Sequence, residues 1–327
     1  MNSAWVKGAG LLLLAALAWG GLFPVAVVTL RTLDPFHMTA IRYGMTAIVL
    51  GALLAWTEGP AALKVEGRGW RAALLGTIGF AGLGLAVFVG LEHSRPEHGA
   101  VIMATQPLIA ALVAWLLRGV RPARATLGFL GVALAGVVLV VTKGRLVGLF
   151  AGGTGFGDML MLIGAISWVV YTLGAADFPS WSPLRYTALT TLLSLPAIFG
   201  IAAAASASGR VAVPSATDVE AVAWQLAYMV GIASILGVLA WNAGNRLIGA
   251  ANGVLFINFV PVTVFAIRIA QGHRFEPIEF VGAALVIGAL VANHLFVTRA
   301  GGAPSPRPRK PAALVRARGR VRPQACG

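Results

Sequence analysis

The sequence predicts an all-α polytopic membrane protein with ten transmembrane helices, arranged as two inverted five-helix repeats. Of its 327 residues, 58% are hydrophobic and 11% are charged, and the mean hydropathy is +0.84. A soluble domain carries about 25% charged residues, so this chain could not cover a surface that faces water. Its apolar residues form runs of about 20 residues, the length of a helix that crosses a bilayer. In addition, the two halves of the chain resemble each other.

The internal repeat is visible without gaps. Residues 98–137 align with residues 252–291, mostly apolar residue against apolar residue. Two glycines and a proline recur at equivalent positions, namely Gly99, Pro107 and Gly128 in the first segment and Gly253, Pro261 and Gly282 in the second. Repeated hydrophobic halves are typical of secondary transporters.

Ten apolar runs are expected to form helices, because a helix satisfies its own backbone hydrogen bonds inside the lipid. In order, they cover residues 9–30, 36–57, 70–92, 98–117, 124–142, 157–176, 184–204, 222–244, 250–270 and 278–298. Turn-forming and charged residues separate them. Five spans in each half is an odd number, so the second half must enter the membrane upside down relative to the first.

These spans divide the chain into four parts. The first repeat covers residues 1–142 with helices 1–5, and the second covers residues 157–298 with helices 6–10. The glycine-rich stretch 143–156 has no preceding strand and no G-x-G-x-x-G spacing, so we interpret it as a flexible linker and not as a phosphate loop. The tail, residues 299–327, is basic and has few large apolar residues, which predicts disorder.

The charge pattern predicts the orientation. The net charge is +14, and eight of the positive charges lie in the tail. Because the chain has no folded basic patch with interleaved aromatic residues, nucleic-acid binding is not expected. Lys and Arg are more frequent on the side that carries both termini, which predicts cytoplasmic termini in a bacterial inner membrane. The tail either contacts anionic lipid headgroups or only enforces this topology.

Several motifs carry a resemblance to a known family. "LAWGGLFPV" (17–25) and "IRYGMTA" (41–47) in the first half, and "GDMLMLIGAISWVVYTL" (157–173) and "LAWNAGNRLIGAANGVLFINFVPVTVFAI" (239–267) in the second, resemble the EamA family of the drug/metabolite transporter superfamily. The resemblance implies a ten-helix exporter with a central cavity lined by helices 1, 3, 4, 6, 8 and 9. It also implies solutes such as amino acids, which some bacterial members export.

Aromatic residues are the first candidates for the site. Trp19 and Trp168 lie near the predicted midplane of the first helix of each repeat. Trp in membrane helices prefers the interface, because its N–H needs a partner. A midplane Trp therefore indicates a cavity wall, with core packing as the alternative. Tyr171 lies one helical turn from Trp168, on the same face.

Three amides are the next candidates. Gln106 and Asn258 lie beside the repeated prolines, and Asn242 lies near the end of helix 8. An unsatisfied amide in hydrocarbon costs a few kcal/mol. These side chains are therefore expected either to hydrogen-bond a polar solute in the cavity or to bond a neighbouring helix.

Prolines inside spans predict kinks. Pro24, Pro107 and Pro261 each remove the hydrogen bond to the carbonyl four residues earlier. The matching positions of Pro107 and Pro261 favour a gating role, and a static kink inherited from duplication is the alternative.

Charged residues inside spans are few. Arg42 and Arg268 lie about two turns inside the outer ends of their helices, and we expect both to snorkel to the interface, with anion attraction as the alternative. No carboxylate lies at a predicted midplane. His98, near the outer end of helix 4, is the nearest titratable candidate for ion coupling, so a facilitator, an exchanger and a proton antiporter all remain open.

The sequence therefore predicts a secondary transporter that exports small metabolites such as amino acids by alternating access. An intramembrane enzyme acting on a lipid-linked substrate would need clustered acids, metal ligands or a nucleophile with its base, and the sequence indicates none. A membrane protein that transports nothing is the other alternative. We expect no cofactor and no metal, a small-molecule solute and bilayer lipids as partners, and a monomer or weak oligomer.

Overall fold

The structure is a computed structural model that describes residues 3–119, 121–144, 154–248 and 254–299. Every regular element in these ranges is a helix, and these ranges contain no strand. The predictions of a flexible linker and of a disordered tail fall mainly on residues outside them.

The first repeat contains five spans. They are α1 (Ser3–Thr29), α2 (Pro35–Glu58), α3 (Gly69–Glu92), α4 in two pieces, α4a (Pro96–Ala104) and α4b (Gln106–Arg118), and α5 (Arg124–Thr142). The start of α2 is fixed by its cap. The Asp34 carboxylate accepts hydrogen bonds from the amides of Phe36 and His37, and Pro35 occupies the first helical position, where no N–H is needed.

The second repeat has the same order of elements. It contains α6 (Thr154–Gly174), α7 (Pro183–Ala207), α8 in three continuous pieces (Ala223–Ala227, Tyr228–Leu236 and Gly237–Ile248), α9 (Phe259–Ala270) and α10 (Pro277–Arg299). A 3-10 turn, Val254–Asn258, leads into α9. The start of α7 repeats that of α2, with Ser182 as the cap and Pro183 at the first position.

Ten helical spans agree with the predicted fold class. Among the described residues, eight helices are long and apolar enough to cross a membrane, and the two pieces of α4 form a ninth span with a 51° bend. The tenth, α9, belongs to a shorter apolar helix, Phe256–Ala270.

The two ends of the bundle are named as follows. The termini end is where α1 starts and α10 ends, and the linker end is where α5 ends and α6 starts.

Glycines bring the two repeats into close contact. A Cβ atom on Gly244 of α8 would lie 2.6 Å from Leu12 of α1. A Cβ atom on Gly136 of α5 would lie 2.6 Å from the carbonyl oxygen of Gly282 of α10, and the reverse distance is the same. Only glycine allows backbones to approach this closely, so these pairs fix α1 against α8 and α5 against α10.

Both repeats contain a π-helical segment. It covers Thr77–Gly82 in α3 and Tyr228–Leu236 in α8. By the repeat alignment, Thr77–Gly82 corresponds to residues 231–236, so the two segments are equivalent. A π segment inserts an extra residue into a helix and is frequent at functional sites. Here the two segments face the centre of the molecule.

Candidate functional site

The centre of the molecule contains two adjoining cavities. The central cavity lies towards the linker end. The access cavity extends to the termini end, where the α6–α7 connection, Phe178–Pro183, lines it. Six residues line both cavities, namely Trp19, Gln106, Trp168, Thr187, Val238 and Ile257. These shared walls make the cavities one path with two chambers.

More helices line this path than the family resemblance implies. The expected helices α1, α3, α4, α6, α8 and α9 all contribute. In addition, α2 contributes Arg42 and Tyr43, and α7 contributes Thr187 and Thr191. The path therefore lies between the two repeats and is formed by both.

Trp19 lies at the junction of the two cavities. Its Nε1 donates a hydrogen bond to the carbonyl oxygen of Ala233 at 3.0 Å, and its ring lies 5.2 Å from the ring of Trp241. Ala233 belongs to the π segment of α8. The indole N–H thus has a partner far from the interface, while the ring remains available to the path.

Trp168 also lines both cavities, and Tyr171 supports it. The two ring centroids are 5.1 Å apart, and the Phe80 ring lies 6.3 Å from that of Trp168. Tyr171 is only 5% exposed, it stacks on Tyr186 at 5.0 Å, and its hydroxyl lies 3.4 Å from that of Thr190. Tyr171 borders the access cavity, but most of its surface is packed in the core.

The three candidate amides lie in different surroundings. Gln106 lines both cavities, and its Nε2 donates to the sulfur of Met103 at 3.2 Å. Asn242 lines the access cavity. Asn258 is buried and lines neither of these two cavities, and its Oδ1 accepts no hydrogen bond from the described residues. The structure therefore places two of the three amides beside the tryptophans.

The three candidate prolines have different effects on their helices. The 51° bend of α4 lies at Thr105, two residues before Pro107, and Pro107 lines the access cavity. Pro261 lies in the first turn of α9, where the 3-10 turn Val254–Asn258 gives way to the α-helix, so it does not interrupt a longer helix. Pro24 lies inside α1, which continues through it as one helix.

Arg42 does not snorkel to the interface as expected from the sequence. Arg42 is 7% exposed and lines the central cavity. Its Nε donates to the Ser234 hydroxyl at 3.0 Å, and its guanidinium carbon lies 4.9 Å from the Tyr43 ring centroid and 5.5 Å from that of Phe88. These partners hold the side chain inwards. The only sequence signal was a basic residue two turns inside a span.

Charged residues gather at the linker end. We call this group the ionic cluster, and it consists of Arg95, Glu97, Lys143, Arg268, His273, Glu276 and Glu279. Glu97 and Glu279 are fully buried. Glu97 lies 3.3 Å from the Nε of Arg268, which also contacts Gln271 and His273, so an ion pair holds Arg268 at the linker end. The cluster joins α4a and α5 of the first repeat to α9 and α10 of the second.

A second buried polar pair lies at the same end. The Nδ1 of His98 lies 3.1 Å from the Asp158 carboxylate, which also accepts a hydrogen bond from the hydroxyl of Ser94. His98 is fully buried, and its Nε2 has no hydrogen-bond partner among the described residues. Within those residues, no group of three or more His, Cys, Asp or Glu side chains could hold a metal ion.

The termini end is held by a contact between loops. Arg185 donates to the carbonyl oxygen of Ala62 and to the Glu66 carboxylate, both at 2.8 Å, and Trp181 donates to Glu66 at 3.2 Å. The hydrogen bonds from Arg185 and Trp181 hold the pKa of Glu66 below its usual value. This contact positions the α6–α7 connection at the mouth of the access cavity.

Comparisons with known proteins agree with this architecture. The chain is 34% identical over 294 residues to the uncharacterized transporter YrdR of Bacillus subtilis (strain 168), covering 88% of this chain and 91% of that protein. It is 30% identical to the uncharacterized transporter YyaM of the same organism, covering 85% of this chain and 90% of that one. The uncharacterized inner membrane transporter YedA of Escherichia coli (strain K12) is 23% identical, over 90% of this chain and 94% of its own length.

One solved structure, described as the crystal structure of a protein, has the same fold, with a TM-score of 0.62 at 20% identity over 92% of this chain and 99% of its own. The profile of the EamA-like transporter family matches residues 6–142 and again residues 155–293. The described residues form nine candidate spans and one shorter apolar helix, and a path lies between the two repeats. With these matches along nearly its whole length, the chain belongs to the EamA-like transporter family and is a multi-pass membrane transporter.

Proposed function

We propose that this transporter exports small metabolites, such as amino acids, by alternating access through the central cavity. One observation carries the proposal. The path between the repeats reaches the termini end through the access cavity, whereas buried side chains and the ionic cluster occupy the linker end. A path open at one end and closed at the other is the arrangement that alternating access requires.

The chemistry of the walls supports a small organic solute. They are mainly apolar and aromatic, with a few polar groups, which is the usual composition of a small-molecule site. The rings of Trp19 and Trp168 offer flat apolar contact, and the amides of Gln106 and Asn242 offer hydrogen bonds. An amino acid or a similar metabolite has both kinds of surface.

The bend in α4 connects the cavity with the closed end. Gln106, at the start of α4b, lines the cavity, and Glu97, in α4a, belongs to the ionic cluster. Thr105 joins the two pieces: its amide donates a hydrogen bond to the carbonyl oxygen of Ile102 in α4a, and its carbonyl oxygen accepts one from the amide of Leu108 in α4b. We infer that α4a moves about this hinge when the linker end opens and the ionic cluster separates.

We further propose that both termini lie in the cytoplasm, that the repeats span residues 1–142 and 157–298, and that residues 143–156 link them outside. The access cavity then faces the cytoplasm, which suits a solute that is captured there for export. A reporter active only in the cytoplasm, fused after Thr298, should be active, and a periplasmic reporter at the same site should be silent. The opposite result would overturn the orientation.

Transport itself is tested with purified protein in liposomes and a panel of labelled amino acids and related metabolites. We expect at least one solute to accumulate above the level in protein-free liposomes. Trp19→Ala and Trp168→Ala should reduce this rate more than they reduce the yield of folded protein. Trp224→Ala serves as the control, because Trp224 lies on α8 with 78% of its surface exposed.

Two outcomes would contradict the proposal. One is that no solute in the panel accumulates. The other is that both cavity variants transport at the wild-type rate, which would place the solute elsewhere. Formation of a new product from a lipid-linked substrate would favour the alternative of an intramembrane enzyme.

A further inference from the structure

Arg42 is a charged side chain in an apolar surrounding without a carboxylate beside it. Among the described residues that line the two cavities, it is the only charged one. Its ion-pair partners would have to be acidic, and no Asp or Glu of the described residues lies within ion-pair distance of it. A buried charge without an opposite charge is costly, so such residues usually mark a functional site.

The orientation of Arg42 is fixed from one side only. Its Nε donates to the hydroxyl of Ser234, and that hydroxyl donates in turn to the carbonyl oxygen of Met229 at 2.9 Å, across the π segment of α8. The rings of Tyr43 and Phe88 lie beside the guanidinium group. Its two terminal nitrogens donate no hydrogen bond to the described residues, so two parallel donors remain available to the cavity.

We propose that Arg42, oriented by Ser234, binds a carboxylate or a similar anionic group of the transported solute, so that the cavity selects organic anions with an apolar body. The planar fork of a guanidinium group matches a carboxylate with two parallel hydrogen bonds. The aromatic rings of Trp19, Trp168 and Phe80 line the same cavity and suit the apolar body. The inference rests on the proposed function in one respect, namely that the solute occupies this cavity.

The charges that line the cavity narrow the class of solute that it can bind. No acidic side chain of the described part of the chain lines it, so the ammonium group of a zwitterion finds no carboxylate among those residues. Counted from Pro35 and Pro183, which start α2 and α7, the equivalent of Arg42 in the second repeat is Thr190. The cavity therefore has one anion site. Among the small metabolites proposed above, a monoanion fits this site better than the zwitterion of a free amino acid, a cation or a dianion.

The test is direct binding to the purified protein in lipid nanodiscs, measured by calorimetry. The probes share one apolar body and differ in charge: N-acetyl-L-phenylalanine (anion), L-phenylalanine (zwitterion), L-phenylalanine amide (cation) and N-acetyl-L-phenylalanine amide (neutral). Indole-3-acetate and indole-3-acetamide form a second pair with another body. In at least one pair, the anion should bind about tenfold more tightly than its neutral amide, as a charge-assisted pair predicts.

Variants assign this preference to the site. Arg42→Gln should abolish the preference for the anion and leave the affinity for the neutral amide unchanged. Arg42→Lys keeps the positive charge but lacks the planar guanidinium group, and Ser234→Ala removes the hydrogen bond that orients this group. Both variants should therefore keep a weakened preference for the anion. Arg31→Gln, an exposed arginine at the linker end, is the control and should bind every probe like the wild type.

Two results would overturn the anion site. In one, no anion binds more tightly than its amide in the wild type. In the other, the preference survives in full in Arg42→Gln or, if that variant does not fold, in both Arg42→Lys and Ser234→Ala. The proposed function fails separately: Arg42-dependent binding without accumulation of any anion in liposomes would retain the site and refute transport. Accumulation of solutes at the same rate in Arg42→Gln would retain transport and refute the site.

Discussion

Gln106 and Asn258 show how similar side chains beside related prolines acquire different surroundings. Gln106 donates a hydrogen bond to the Met103 sulfur and lines the path, whereas Asn258 is 7% exposed and lines neither cavity. A hydrogen bond from a buried amide to a solute contributes about 0.5–1.5 kcal/mol, and more if the solute group is charged. The two residues therefore allow a matched comparison.

We predict that Gln106→Leu raises the half-saturation concentration for transport by up to about tenfold, because one decade corresponds to about 1.4 kcal/mol. Asn258→Leu should change it by less than about twofold, since the side chain does not reach the path. Transport kinetics and the melting temperature of the same purified variants are the measurements. A larger effect on affinity from Asn258→Leu than from Gln106→Leu would restore Asn258 to the site and contradict this assignment.

The residues that could be found from the sequence are those whose type conflicts with their depth. Trp19 and Trp168 can be identified because Trp rarely lies at the midplane, and both line the path. For Arg42 the sequence favours snorkelling over anion attraction, because a long basic side chain near a helix end usually reaches the interface. Ser234 and Phe88, which are distant in the sequence, hold it inwards together with the neighbouring Tyr43. The partner of a side chain depends on tertiary packing, which one sequence does not contain.

At the scale of elements, the proline in α4 has the clearest structural effect. Its helix is broken at Thr105 and bent by 51°, while α1 continues through Pro24. Pro107→Ala would supply the missing N–H and remove the clash of the ring with the preceding turn.

We predict that Pro107→Ala lowers the transport rate severalfold while leaving the melting temperature equal or higher, because a straighter α4 is more regular but displaces Gln106 and stiffens the hinge. Pro24→Ala is the control and should transport at a rate close to that of the wild type. A normal rate for Pro107→Ala, with retained folding, would show that the bend is a static kink, as the alternative interpretation holds.

The sequence does not predict the π segments. Their glycines resemble ordinary packing glycines, and an inserted residue leaves no period that distinguishes it from an α-helix. The structure gives one of these glycines a specific reason. A Cβ atom on Gly79 would lie 2.5 Å from the Tyr171 ring, whereas one on Gly231, in the equivalent segment of α8, would have no atom within 4 Å.

We predict that Gly79→Ala lowers the melting temperature and the transport rate, because the added methyl group displaces Tyr171, and Trp168 rests on Tyr171. Overpacking of this kind typically costs about 1–3 kcal/mol. Gly231→Ala should leave both quantities near the wild-type values, since the space beside it is open. Equal effects of the two substitutions would show that the contact with Tyr171 is not what requires glycine at position 79.

At the scale of the whole molecule, the ten spans follow from composition and periodicity alone, since lipid requires helices of a given length. How the repeats meet does not follow in the same way. The ionic cluster joins Glu97 to Arg268 across 171 positions of the sequence, and each residue taken singly lies near a helix end, where charges are common. The ionic cluster at the linker end is therefore a property of the assembled repeats.

The last prediction concerns the ion pair between Glu97 and Arg268 in the ionic cluster. Glu97→Gln leaves the partly exposed Arg268 without its nearest carboxylate, and Arg268→Gln leaves the fully buried Glu97 with only the more distant Arg95 and His273. Each single variant should lower the stability measured by denaturation in detergent micelles. The double variant should lose less stability than the sum of the two single losses, with a coupling energy between about 0.5 and 3 kcal/mol.

The pair Arg71 and Asp177 at the opposite end is the control. It lies 2.9 Å apart, but both side chains are largely exposed, so its coupling should stay below about 1 kcal/mol. If Glu97 and Arg268 prove additive while the exposed pair is coupled, the linker end is not held closed by charge, and the hinge at Thr105 opens against packing alone.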